Sequence, residues 1–298
     1  MENIILNASD SYPLSLNVYE VENPKGVIQV IHGMEEHQNR YKEFAETLNQ
    51  FGYNVITSDM RGHGENAKTL GYFKDKKGHL ALLDDQKVIR EFIINKYPNL
   101  PIIFFGHSMG TIISRNILQE YSSSYSKVIL SGFPNHNPVA KIAISIAKMI
   151  TLFKGPKYRS KLLHNLSIGS FNKTIKNPKT PVDWLSYNED NNTKYMEDPL
   201  CGFGFKCSGF RDLFTLLSNM SNSKKHYKNL NASLPILMIY GKDDPCVGGV
   251  KGVQGSINYL NKVGFNNLTV IGYDNMRHEI LNEKDPSSIY KDIQSFLK

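Results

Sequence analysis

Gly106-His107-Ser108-Met109-Gly110 sets a serine between two glycines. A serine hydroxyl is a weak nucleophile and becomes a useful one only when a neighbouring base takes its proton. The apolar run 101–107 precedes this serine, and a helix-forming run, 109–121, follows it. That is the setting of a nucleophile elbow, a sharp strand-to-helix turn that lifts the hydroxyl to the carboxyl end of a sheet. Glycine on both sides fits a turn with no room for side chains. The chemistry to expect is acyl transfer through Ser108, which needs a base, an acid to orient that base, and amides to hold an oxyanion.

Nine histidines could be the base: His32, His37, His63, His79, His107, His136, His164, His226 and His278. Where an elbow serine is present, the acid follows it in the chain and the histidine comes last. His278, in Asp274-Asn275-Met276-Arg277-His278-Glu279, is the histidine that lies beyond the final apolar run, 267–272. The acid belongs in the loop after the penultimate run, Gly241-Lys242-Asp243-Asp244-Pro245. Pro245 restricts the residue before it, and aspartate there is a common turn element, so Asp244 is chosen and Asp243 is left to solvent or to a turn. Asp59, closing the run 53–59, is the other contender and reads better as a turn residue. His32-Gly33-Met34 follows the run 26–32; Gly33 allows close backbone approach, and the Met34 amide can pair with the Met109 amide as an oxyanion hole. Glu35, Glu36 and His37 are expected to serve loop structure and the charge at a helix start.

These residues need a scaffold. Short apolar runs at 13–20, 26–32, 53–59, 101–107, 127–132, 235–241 and 267–272 read as strands. Most are apolar on both faces, which suits buried parallel strands. Helical patterns at 40–51, 81–97, 109–121 and 286–297 fall between or after them. The fold class expected is α/β, a mostly parallel central sheet flanked by helices. The alternation stops between 134 and 231, where no clear strand is visible. A mostly helical insert is expected there, with a long amphipathic segment at 138–153 and another helix near 209–220, leaving 1–133 and 232–298 as the core.

Composition closes off other classes. The 298 residues carry 40% hydrophobic and 21% charged side chains, a globular balance. The net charge of +7 is scattered rather than gathered into a basic stripe, so nucleic acid is not an expected partner. Three cysteines, Cys201, Cys207 and Cys246, argue against a disulfide framework and fit a reducing, cytoplasmic setting. No metal-ligand motif, secretory leader or spanning apolar run is read. Gly62-His63-Gly64 with Ala67 mimics part of a dinucleotide fingerprint, but no helix opens at Gly64, and no cofactor is expected.

Taken together, HGMEEHQNRY, SDMRGHG, FGHSMG, GKDDP and RHEILNE occur in an order that resembles the α/β-hydrolase fold superfamily. The likeness is nearest to its monoacylglycerol lipase and bacterial lysophospholipase-like branch, a serine aminopeptidase-type domain. WLSYNED and YMEDPLCGF, inside the insert, also look family-like. The resemblance covers almost the whole chain. It implies Ser108, Asp244 and His278 as a triad, Met34 and Met109 amides as the oxyanion hole, and 134–231 as a cap that shapes the acyl pocket. It implies esters of monoacylglycerol or lysophospholipid type as substrates. The sequence departs from the family where Glu65-Asn66 follow RGHG in place of the usual serine, and no acidic pair suited to a peptide amine is evident.

The helix at 138–153 bears on the substrate. Ile142, Ile144, Ile146, Met149, Ile150 and Phe153 could pack it on the core, which is the reading adopted. The alternative is a lipid-facing entrance, with Lys141, Lys148, Lys154 and Lys157 near acidic headgroups, giving peripheral membrane contact.

Overall fold

The computed structural model describes residues 1–135, 139–220 and 230–298. Eight strands form one sheet in the order β1-β2-β4-β3-β5-β6-β7-β8. They are β1 (Glu2–Asn7), β2 (Pro13–Tyr19), β3 (Val27–Ile31), β4 (Asn54–Ser58), β5 (Ile102–His107), β6 (Lys127–Ser131), β7 (Ile236–Gly241) and β8 (Leu268–Tyr273). β2 runs antiparallel to both β1 and β4, and every pairing from β4 to β8 is parallel. This is the mostly parallel α/β sheet that the alternation implies.

The continuous apolar runs follow from burial on both faces. In β5, Ile102 and Phe104 enter one core, while Ile103 and Phe105 enter the other. In β7, Ile236 and Met238 divide from Leu237 and Ile239 in the same way. Each such side chain contributes about 1.5–3 kcal/mol on leaving water. Helices α1 (Lys42–Gln50) and α9 (Ser287–Leu297) cover one face through Phe44, Leu48, Ile289 and Ile293. Helices α2 (Gly78–Lys96), α3 (Met109–Tyr121) and α8 (Gly249–Val263) contribute to the other.

Between β6 and β7 lie α4 (Ala140–Lys154), α5 (Lys161–Ser167), α6 (Glu189–Glu197) and α7 (Cys207–Asn219). No strand occurs among the described residues of this insert. The helix read at 138–153 begins at Ala140; Pro138 and the candidate bases His136 and His226 lie outside the described residues. α4 packs along α7, but it does so mainly through Ala140, Ala143 and Ala147. The adopted packing reading is therefore right about the helix and wrong about several of its large side chains. Ile144, Ile146 and Ile150 are only partly buried, and Ile142, Met149, Leu152 and Phe153 are 60–79% exposed. Among the described residues, no helix is long and apolar enough to cross a membrane.

The RGHG segment is structural. Buried Arg61 pairs with Asp85 and Asp10, and the His63 ring lies among Phe73, Phe203 and Phe205. Asp59 accepts from the Gln38 amide and side chain, a structural role that clamps two loops together rather than the local turn expected of it.

Candidate active site

Ser108 joins β5 to α3 with φ 50° and ψ −115°, a conformation that a non-glycine residue holds only when its surroundings force it. The neighbouring glycines show what does the forcing. A Cβ on Gly106 would come within 2.6 Å of the Ser114 hydroxyl, and one on Gly110 would collide with the Ile31 carbonyl. The Ser108 amide donates to the Ser131 carbonyl at 2.9 Å, which pins the turn to β6. Met109 is the first residue of α3, where a backbone N–H has no partner inside the helix. Met34 follows β3 and lines the same cavity as Ser108 and Met109. Among the described residues, neither the Met34 nor the Met109 amide donates to a protein acceptor.

The loops after β7 and β8 interlock. The Lys242 amide donates to the Tyr273 carbonyl, and the Asp243 amide to Met276. This brings Asp244 to His278, with a 2.8 Å bond between Asp244 Oδ2 and His278 Nδ1. The other carboxylate oxygen accepts the Cys246 amide at 2.7 Å, so the side chain is held at both ends. Both residues are about 2% exposed. Asp243 is instead exposed and accepts from the Tyr187 hydroxyl. The geometry thus separates two aspartates that the sequence leaves adjacent. Burial alone would push the His278 imidazole down, but the charge and hydrogen bond of Asp244 outweigh it and raise it above the ordinary histidine range. With Nδ1 committed to Asp244, Nε2 is the nitrogen left for proton transfer.

His107, next to the serine, lies with its ring 4.8 Å from that of His278. Burial, with the His278 charge adding to it, brings His107 down to about 4, so it stays neutral at working pH. Trp184, from the insert, packs on the other side of His278 at 4.9 Å. Sequence reasoning missed Trp184 as a site residue; its one signal was the family-like WLSYNED.

A second group lies close by, of which sequence reasoning singled out Glu36 but not Arg40 or Glu279. Arg40 bonds both carboxylate oxygens of Glu279 at 2.7 and 2.6 Å and reaches Glu36 at 2.7 Å. Glu36 also accepts the Gly33 amide at 2.5 Å and the Tyr41 hydroxyl at 2.9 Å. Burial works against both carboxylates, yet Arg40 holds them below the ordinary range. These groups fix the Gly33–Met34 loop on one side and His278 on the other. That is the loop role expected of Glu36. His37 bonds Asp198 of the insert at 2.8 Å.

Ser108 opens onto a cavity of about 310 Å³, walled by Met34, Ile112, Ala143, Leu166, Leu213 and Phe214 among others. Among the described residues, no charged side chain lines it. A model of the serine aminopeptidase S33 family matches residues 22–285. The chain belongs to that family. Relatives with lipid-related names are similar along most of their length. Monoacylglycerol lipase of Mycolicibacterium smegmatis is 25% identical over 287 residues, covering 94% of this chain and 92% of its own. Phospholipase YtpA of Bacillus subtilis is 24% identical, covering 93% and 97%. Among solved structures, a thermostable carboxyl esterase from Bacillus coagulans, in complex with glycerol, superposes with a TM-score of 0.91 at 26% identity. That match covers 99% of this chain and 97% of the esterase. The S33 chain described here is thus a member of the α/β-hydrolase superfamily in its monoacylglycerol lipase-like branch.

Proposed function

We propose that this protein is a serine ester hydrolase acting on monoacylglycerol- or lysophospholipid-like substrates. The observation that carries the proposal is the strained Ser108 elbow, opening onto an uncharged, largely apolar cavity, with the buried His278–Asp244 pair packed on the neighbouring His107 ring. Ser108 attacks the ester carbonyl while His278 Nε2 takes its proton. Met34 and Met109 amides receive the negative oxygen of the tetrahedral intermediate. His278 then protonates the leaving alcohol, and the acyl group stays on Ser108. Water, activated by His278, releases the acid and restores the serine. Asp244 keeps the imidazole in one tautomer and stabilises its charged form.

The cavity supports an acyl chain better than a peptide amine. An amine needs a free carboxylate, and Glu36 and Glu279 are engaged by Arg40. At about 310 Å³ the space lies near the lower end for small-molecule pockets, which favours short to medium chains. Residues 134–231 serve as the cap that walls this pocket. The exposed apolar side chains of α4, with Lys148 and Lys154 nearby, support peripheral contact with an anionic lipid surface. Unpaired Cys201, Cys207 and Cys246 support a reducing, cytoplasmic setting.

The test is hydrolysis of p-nitrophenyl esters from acetyl to palmitoyl by wild type and Ser108→Ala. Loss of about 10⁴–10⁶-fold in kcat is expected in the variant. Equal activity of the two proteins would remove Ser108 as nucleophile. Absence of activity in both would move the reading to amides or to binding alone.

A further inference from the structure

Glu35 stands between Met34 and Glu36 with φ 58°, in the left-handed region that side chains other than Gly, Asn and Asp seldom occupy. It is 1% exposed. A charged residue in a strained, dry position calls for compensation, and the insert supplies it. Glu35 Oε1 accepts the Phe205 amide at 3.2 Å, with the Gly204 amide alongside. The Glu35 carbonyl accepts the Gly202 amide and the Tyr195 hydroxyl, each at 3.0 Å. Gly202 and Gly204 both hold positive φ, which turns the N–H groups of this loop toward Glu35, the Gly202 amide to its carbonyl and the Gly204 and Phe205 amides to its carboxylate. The Phe205 ring anchors the same loop from its other side, 5.4 Å from His63 and 5.1 Å from Phe73.

We propose that Glu35 is a positioning residue that latches the insert loop 202–205 to the loop carrying the Met34 amide. The proposal rests on Met34 as an oxyanion donor, the reading given above. When the latch is made, the Glu35 side chain ties the seating of the insert to the loop that Glu36 holds from its other side. When it is broken, the Met34 amide loses its aim at the reacting oxygen, where donor geometry matters most.

Burial brings the Glu35 carboxyl up to about 7, against the amide bonds and the Arg159 charge, which favour the ionised form. The titratable groups around it are Arg159, from the segment after α4, Tyr195 on α6, and His164, Lys173 and Cys201, which line the same cavity as Glu35. An ionised Glu35 accepts from both amides without competition; a protonated one carries a donor of its own and resembles glutamine. The ratio of wild-type kcat to that of Glu35→Gln is therefore expected to rise as pH increases through about 7. His278 titrates in both proteins and cancels from the ratio.

The measurements are kcat and KM for p-nitrophenyl butyrate between pH 5.5 and 9, and amide exchange across 196–206. They are made on wild type, Glu35→Gln and Glu35→Gly, with a thermal melt to confirm that each is folded. Glycine relieves the positive φ while removing the latch, so it separates strain from contact. Both variants are expected to lose about tenfold or more in kcat at pH 8 with little change in KM, and to exchange faster at 202–205. A pH-independent ratio, or an unchanged kcat with unchanged exchange, would overturn the latch. If Ser108→Ala retained wild-type activity, the catalytic reading would fall, while the exchange data would still judge the contact between the loops.

Discussion

Two regions of the molecule depart from the usual partition of polar and apolar groups, in opposite directions. At the carboxyl end of the sheet, Glu36, Asp244, His278 and Glu279 are almost wholly removed from water, with Arg40 nearly so. On α4, Ile142, Met149, Leu152 and Phe153 are left in it. The first arrangement is tolerable because it is closed: each charge has a partner at hydrogen-bond distance, and the backbone amides take up remaining acceptors. The second is open: nothing among the described residues covers those side chains. The contrast teaches that the two regions do different work. Buried charge fixes atoms to within a fraction of an ångström, as bond-making chemistry requires. Exposed apolar surface fixes nothing and suits a partner without defined shape, such as lipid.

The strongest way to break this comparison is to open the closed network at its catalytic end. Asp244→Asn is expected to lower kcat by about 10⁴-fold, since it withdraws the charge and permits the wrong tautomer. Its residual activity carries a second signature. The base must be neutral to act, so activity is lost as pH falls through the His278 value. In wild type that limb lies above the ordinary histidine range; without the Asp244 charge, burial dominates and the limb moves below it. A loss under tenfold, or an acid limb that stays in place, would mean that Asp244 is not the orienting group.

Opening the network at its structural end is expected to cost stability. Arg40→Met leaves Glu36 and Glu279 buried without a cation, a loss of about 3–5 kcal/mol at pH 7. In wild type both carboxylates are held below the ordinary range, so their contribution is present above the unfolded value and fades as pH falls through the folded one. In the variant burial raises them, so the penalty shrinks as pH drops and they take up protons. Adding Glu279→Gln is expected to recover part of the loss, because one of the two stranded charges goes. Urea melts at pH 7 and 5 measure both; a penalty below about 1 kcal/mol would show that the network is not closed in the sense used here.

The two regions also differ in how far the sequence reveals them. The parallel strands are visible because burial on both faces leaves unbroken apolar runs. The elbow is visible because steric exclusion at Gly106 and Gly110 leaves no other residue type. β1 is not legible because it is an edge strand in which only Ile4 and Leu6 are partly buried, too short an alternation to stand out. α8 went unread because Gly249, Gly252 and Gly255 argue against a helix; at Gly252 a side chain would collide with the Val247 carbonyl. α6 is polar nearly throughout, and its Asn191 and Asn192 act through side-chain bonds to Glu279 and Ser186 that no periodicity encodes. The choice of Asp244 over Asp243 rested on Pro245, and the 2.8 Å contact with His278 is a tertiary fact. Glu35 and Trp184 were beyond reach for the same reason: their partners lie about 170 and 94 residues away.

The open region yields to a gentler perturbation. Leu152 and Phe153 are 79% and 76% exposed, so Leu152→Ser with Phe153→Ser is expected to change folding stability by about 0.5 kcal/mol or less. The pair lies outside the Ser108 cavity, so turnover of p-nitrophenyl butyrate should stay within about twofold of wild type. Binding to vesicles containing anionic phospholipid should weaken much more. Burying one such side chain is worth about 1.5–3 kcal/mol, so losing most of two corresponds to about 30-fold or more in affinity. Replacing Lys148 by Gln should cost less, about 1 kcal/mol, and that cost should fade as salt rises while the apolar loss persists. This difference in salt response separates the two contributions to one surface. Vesicle affinity unchanged in both variants would leave the exposed face of α4 without a lipid role, and would return the insert to a wall of the pocket alone.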